Sequence, residues 1–198
     1  MRKRIFNFQF SIFNSEGYTL IELLAVIAIV VVVGVIVAGI LISSLRGGSK
    51  SNVIDNVRQN GNVAITQMSK MLIYAQSFNG MSADGISYTT NCIQDIPPSP
   101  SPTPAPISYS YIKITSFDGG QTIFSCSNST IASNGASLID ASTVSLVSCS
   151  FACTQNNFGQ VPTIEINFIL SANTTSSFAE KQATIPFSTS VTLRNNNL

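Results

Sequence analysis

The chain has no histidine and no tryptophan, and only 10% of its 198 residues are charged. Without histidine there is no Ser-His-Asp or Cys-His nucleophile pair, and no zinc site built on imidazole. The 10 Lys+Arg against 9 Asp+Glu leave a formal charge of +1, too few cations to make an electrostatic footprint for duplex nucleic acid. Glycine is held to 12 residues while apolar residues reach 44%. That balance excludes collagen-like and wholly disordered classes. A membrane-attached or extracellular chain remains, long enough for one domain plus an appended segment.

The apolar content is unevenly spread. Leu23 to Ile42 is a run of 20 residues without one charged or strongly polar side chain. Wound as a helix at ~1.5 Å per residue, such a run matches the roughly 30 Å hydrocarbon core of a bilayer. Val and Ile are mediocre helix formers in water, but lipid offers the backbone no other way to satisfy its hydrogen bonds. Arg2, Lys3 and Arg4 precede the run, which predicts an N-terminus in the cytoplasm and the bulk of the protein outside. A cleavable secretory signal has an apolar region of about 7–15 residues and a small-residue cleavage site. This run is longer and ends in Ser43-Ser44-Leu45-Arg46, so it reads as a retained anchor.

Glu22 stands at the edge of that run, after Gly17-Tyr18-Thr19-Leu20-Ile21 and before Leu23-Leu24. A carboxylate at the centre of a membrane helix costs about 2.5–3.5 kcal/mol on insertion scales, so one so close to the bilayer needs a partner or a task. Gly17 lacks a Cβ and fits a tight protease cleft. Tyr18 and Glu22 are four apart and share a helix face. A carboxylate near a helix N-terminus also meets the positive end of the macrodipole.

The segment Gly17 to Leu24 resembles the prepilin cleavage and methylation motif of type IV pilins and type II secretion pseudopilins. Tyr18 keeps an aromatic where that family most often has Phe, and Glu16 stands where a basic residue is common. Gly34 and Gly39 replace the proline often found in the mature helix. Those glycines are either tolerated in a membrane helix or allow close helix approach. The resemblance implies that a membrane aspartyl peptidase cuts after Gly17 and that the new N-terminus at Tyr18 is methylated. It also implies that Glu22 serves filament assembly by meeting the amine of a neighbouring subunit. The implied partners are the peptidase/methyltransferase, other pilin or pseudopilin subunits, and membrane lipid before assembly.

Residues 1–17 are thus expected as leader, 18–45 as the membrane and filament-core helix, and 46–80 as its amphipathic second half. Gly47-Gly48 predicts a bend or break. Val53, Ile54, Val57, Ala64, Ile65, Met68, Met71, Leu72 and Ala75 then recur at three- and four-residue steps, one apolar stripe facing a core. Asn79-Gly80 is the expected stop.

From residue 81 the pattern is that of strands. Residues 109–117 and 121–127 read as a hairpin about Asp118-Gly119-Gly120, and Asn134-Gly135 joins 130–132 to 137–140. Residues 144–153, 162–170 and 183–194 complete the set. The fold class is α+β, with a long N-terminal helix packed on a C-terminal antiparallel sheet in a pilin-like arrangement. Residues 189–195 are similar to the end of some minor pilins and pseudopilins. Residues 97–106 hold six of the eight prolines and form an exposed loop.

Cys92, Cys126, Cys149 and Cys153 all fall on the outer side, where an even count fits two disulfides. If 144–153 is one strand, Cys149 and Cys153 are ~13 Å apart, beyond the ~7 Å limit for a bridge. Each must reach Cys92 or Cys126. The favoured pairing is Cys126–Cys149 with Cys92–Cys153, and a zinc site is the alternative. Asp84, Asp95, Asp118, Asp140 and Glu165 are scattered, which suggests neither catalysis nor a calcium cage. No catalytic or cofactor-binding residues are expected.

The expected function is a structural filament subunit, a minor pilin or pseudopilin. The other reading is a membrane-anchored extracellular β-domain that binds a ligand or partner without polymerising.

Overall fold

The computed structural model describes residues 19–93, 107–127, 129–155 and 160–194. The chain divides into two compact units, one ending at Leu45 and one beginning at Arg46. A single helix, α1 (Leu20–Ile73), belongs to both. Among the described residues eight strands follow: β1 (Ser77–Ser82), β2 (Tyr111–Thr115), β3 (Gln121–Ser127), β4 (Thr130–Ser133), β5 (Ala136–Ser137), β6 (Val144–Thr154), β7 (Thr163–Ala172) and β8 (Thr184–Thr192). The architecture is α+β, a long N-terminal apolar helix with antiparallel sheets.

In the first unit every residue of α1 is exposed. In the second, α1 buries Val57, Gly61, Ala64, Met68 and Leu72, a stripe at the three- and four-residue steps of one helix face. Met71 is exposed, and Val53, Ile54 and Ile65 are half-buried, so the buried stripe is narrower than the apolar one. Gly47 and Gly48 are helical and introduce no break. A glycine costs a helix only up to ~1 kcal/mol against Ala, which the neighbouring turns offset. Lys50, just beyond, is held by the carbonyls of Ala179 and Gln182.

The helix ends at Ile73 and not at Asn79. Sheet pairing wins there: the Gln76 N–H donates to the Thr115 carbonyl at 2.8 Å, and β1 pairs antiparallel with β2. Phe78 and Met81 thereby enter the core. The Ile73 carbonyl accepts from the Arg194 N–H at 3.2 Å. Gly80 marks a bulge in β1 rather than a helix stop. Its φ is +116°, and a Cβ there would lie 2.6 Å from the Thr89 carbonyl oxygen. Only glycine suits both demands.

The strands form two sheets where one was expected: β1-β2-β3-β4-β5 and β6-β7-β8. The Asn134-Gly135 hairpin is present, with φ of 49° and 82°, the doubly left-handed turn that matches strand twist. In β7, Ile164, Ile166, Phe168 and Leu170 are buried alternately with half-buried neighbours. A bulge between Leu146 and Ser148 changes the phase of β6. Hence Val144 and Phe151 are both buried although their positions differ in parity. Ile112, Ile114, Phe124 and Ile131 of the first sheet share one core cluster with β6, β7 and α1. A two-way backbone bridge between Tyr109 and Phe151 joins the segment leading into β2 to β6, at 2.7 and 2.9 Å.

Candidate functional site: the exposed apolar helix and the disulfides of the second unit

The helix start is built by Thr19. Its carbonyl accepts from the N–H groups of Glu22 (3.0 Å) and Leu23 (3.2 Å), and its hydroxyl accepts from the Glu22 N–H at 3.3 Å. Thr19 is therefore the N-cap, and Glu22 sits in the first turn. Thr19-x-x-Glu22 is the spacing of a capping box. The Thr-x-x-Glu spacing is the sequence signal for this cap. Gly17 and Tyr18, expected to be the cleavage and methylation positions, lie outside the described residues.

Among the described residues, every large apolar side chain from Leu20 to Leu45 is exposed. By length and composition this part of α1 is able to cross a membrane. Glu22 is its one charged residue. An all-round apolar helix needs lipid or protein around it, since exposing this much hydrocarbon to water is strongly unfavourable.

In the second unit the four cysteines form Cys92–Cys153 and Cys126–Cys149, with Cα separations of 5.4 and 5.6 Å. The first ties the segment before residue 94 to β6. The second ties β3 of one sheet to β6 of the other. With all four sulfurs bonded to sulfur there is no thiolate to hold zinc, so the zinc alternative falls. The unbroken register of β6 from Ser148 to Thr154 holds Cys149 and Cys153 too far apart to meet, so each bonds to a cysteine outside β6.

The scattered carboxylates hold turns. Asp84 Oδ1 accepts from Ser82 Oγ (2.7 Å), the Ile86 N–H (2.8 Å) and the Ser87 N–H (2.9 Å). These donors, Ser82 first, lower its pKa to about 2. Asp140 is lowered too, chiefly by the Ser142 hydroxyl and N–H. Asp95 lies outside the described residues. Among the described residues no three His, Cys, Asp or Glu side chains are grouped to hold a metal.

Sequence reasoning missed the contact between α1 and residues 176–182. Lys50 Nζ donates to the Ala179 carbonyl (2.9 Å) and to that of Gln182, and Arg46 Nε lies 4.0 Å from Glu180 Oε1. Nothing in local patterning pairs groups so distant in sequence. In comparison with known proteins, no family model, curated protein or solved structure matches the chain.

Proposed function

We propose that the chain is a structural subunit of a type IV pilus-like or type II secretion filament, a minor pilin or pseudopilin. Prepilin peptidase removes residues 1–17, Tyr18 becomes the methylated N-terminus, and the helix α1 carries the subunit in the membrane and then in the filament. The subunit waits as a single-pass protein of the cytoplasmic membrane, with its N-terminus cytoplasmic and its β-domain outside. Its partners are the peptidase/methyltransferase, sister subunits and, before assembly, lipid. Nucleic acid has no part in this reading, and the subunit has no catalytic role.

The observation that carries the proposal is the position of Glu22. It is the sole charge from residue 19 to residue 45, in the first turn of a helix whose residues up to Leu45 are all exposed. A subunit alongside, offset along the axis, offers its cationic amine to that carboxylate, so the pair forms between molecules and fixes their stagger. Two disulfides in the second unit support an oxidising, extracytoplasmic setting for it.

Intact mass of the protein taken from membranes tests the processing. Loss of Met1 to Gly17 together with one added methyl group is expected. An unprocessed chain that still forms filaments would overturn the proposal. An unprocessed chain that never polymerises would favour the anchored, ligand-binding β-domain.

A further inference from the structure

The contact of residues 179–182 with α1 is made by Arg46 and Lys50, which follow the apolar run closely in the sequence. Ser43-Ser44-Leu45 joins Ile42 to Arg46, and even fully extended that link holds Arg46 within about 14 Å of the run's end. The headgroup band on each side of a bilayer is roughly 5–8 Å deep, and Arg and Lys side chains reach towards it with their stems. Lys50, the next cation along α1, grips the Ala179 and Gln182 carbonyls. The short 3₁₀ turn Ala179–Lys181 is thereby fastened beside Arg46.

Phe178 precedes that turn, and its carbonyl accepts from the Lys181 N–H at 2.9 Å. The Phe178 side chain is 65% exposed, and it is the one large apolar residue among residues 173–182. Lys181 is exposed as well. Across residues 43–54 and 173–182 the charges are Arg46, Lys50 and Lys181 against Glu180 alone. The Arg46–Glu180 pair is solvent-accessible on the arginine side and so holds weakly. An exposed aromatic set among cations next to a membrane span is the composition of an interfacial anchor.

We propose that Phe178, Lys181 and Arg46 form a second membrane contact, docking the outer domain on the anionic phospholipid surface that surrounds the span. The Phe178 ring enters the headgroup–acyl boundary, and the two cations meet lipid phosphates. Lys50 is the positioning residue, holding the turn in place through two carbonyls. The proposal rests on the reading of residues 23–42 as a membrane span and not on polymerisation.

The chain contains no tryptophan, so single substitutions give clean fluorescent reporters. Full-length Val33→Trp, Phe178→Trp and Phe117→Trp proteins are reconstituted at low density in vesicles of phosphatidylglycerol and phosphatidylcholine with brominated acyl chains. The reporter at 33 tests the span, and the one at 117, on an exposed turn, is the aqueous control. Bromolipid quenching at 33 and 178 but not at 117 is expected, with quenching at 178 falling in pure phosphatidylcholine. One cation near an anionic surface shifts such an equilibrium about fivefold, so adding Lys181→Gln to Phe178→Trp reduces the seated fraction by up to that factor. Quenching at 33 alone, with position 178 as open to iodide as 117, overturns the contact and leaves the span intact. No quenching at 33 overturns the span itself and the contact with it. Shielding at 178 that depends on protein density, or ignores lipid charge and Lys181→Gln, also overturns it.

Discussion

The ring of Phe187 in β8 lies directly on Gly61 of α1, leaving no room for a Cβ between them. Phe187 also stacks on Phe168, with centroids 5.1 Å apart and planes 20° from parallel, so the ring has little freedom to retreat. Gly61→Val would improve helix propensity by a few tenths of a kcal/mol, but overpacking a filled core costs typically 1–3 kcal/mol. A net loss of about 1–3 kcal/mol is expected, read as a lower melting temperature of the full chain in detergent. Gly47 has nothing within 4 Å of a built Cβ. Gly47→Ala should therefore raise stability by up to ~1 kcal/mol. Equal and same-signed changes at the two positions would disprove the close approach.

Both disulfides end on β6, at Cys149 and Cys153, but they close loops of different size. The sequence separations are 61 for Cys92–Cys153 and 23 for Cys126–Cys149. In the chain-entropy account these are worth about 4 and about 3 kcal/mol. Replacing each pair by alanines should lower the urea midpoint in that order, with the longer loop the more costly to open. Peptide mapping without reductant should recover Cys126 joined to Cys149. Recovery of Cys126 joined to Cys92 or Cys153 would refute the arrangement in which that bridge connects the two sheets.

Asp84 supplies a pH-dependent element. Its folded pKa is about 2, below the ~3.9 of an unfolded chain. The unfolded state therefore binds the proton first as pH falls, and the stabilisation is complete above about pH 4 and lost towards pH 2. Asp84→Asn should flatten the fall in melting temperature over that interval and leave the slope above pH 5 unchanged. Asp140, shifted in the same direction, acts with the same sign. A variant with the wild-type acid slope would show that the Ser82, Ile86 and Ser87 donors bind the carboxyl no better than water does.

Local chemistry made much of the domain legible. Asn134-Gly135 announces its hairpin because a doubly left-handed turn admits few other residues, and Ile164 to Leu170 announce a strand by alternation. What was hidden depends on distant pairing. Asn79-Gly80 has the signature of a helix stop, yet the register of β1 with β2 claims it for a bulge. The division into two sheets falls between β5 and β6, which do not pair, and neighbouring residues carry no sign of it. Gly61 falls inside the apolar stripe, but its partner, Phe187, comes from the last strand, and no local pattern pairs the two. Of the candidate site, the exposed apolar run and Glu22 were plain in composition, whereas the clasp of Lys50 on Ala179 and Gln182 was not.

Glu22 has two physical uses that one substitution separates. At the third helical position after the Thr19 cap it suits a capping box and the helix macrodipole, and Gln serves capping at that position as well as Glu does. An ion pair with the amine of a neighbouring subunit instead requires the charge. If assembly runs through that pair, Glu22→Gln should be as defective in filament incorporation as Glu22→Ala, although both remain in the membrane. Thr19→Ala removes the cap hydroxyl and should weaken the helix start by about 0.5–2 kcal/mol while filaments still form. Should Glu22→Gln assemble normally and Thr19→Ala fail, the carboxylate is needed for the local cap and the intermolecular role is lost. Incorporation measured for the three variants against membrane-retained protein decides between these outcomes.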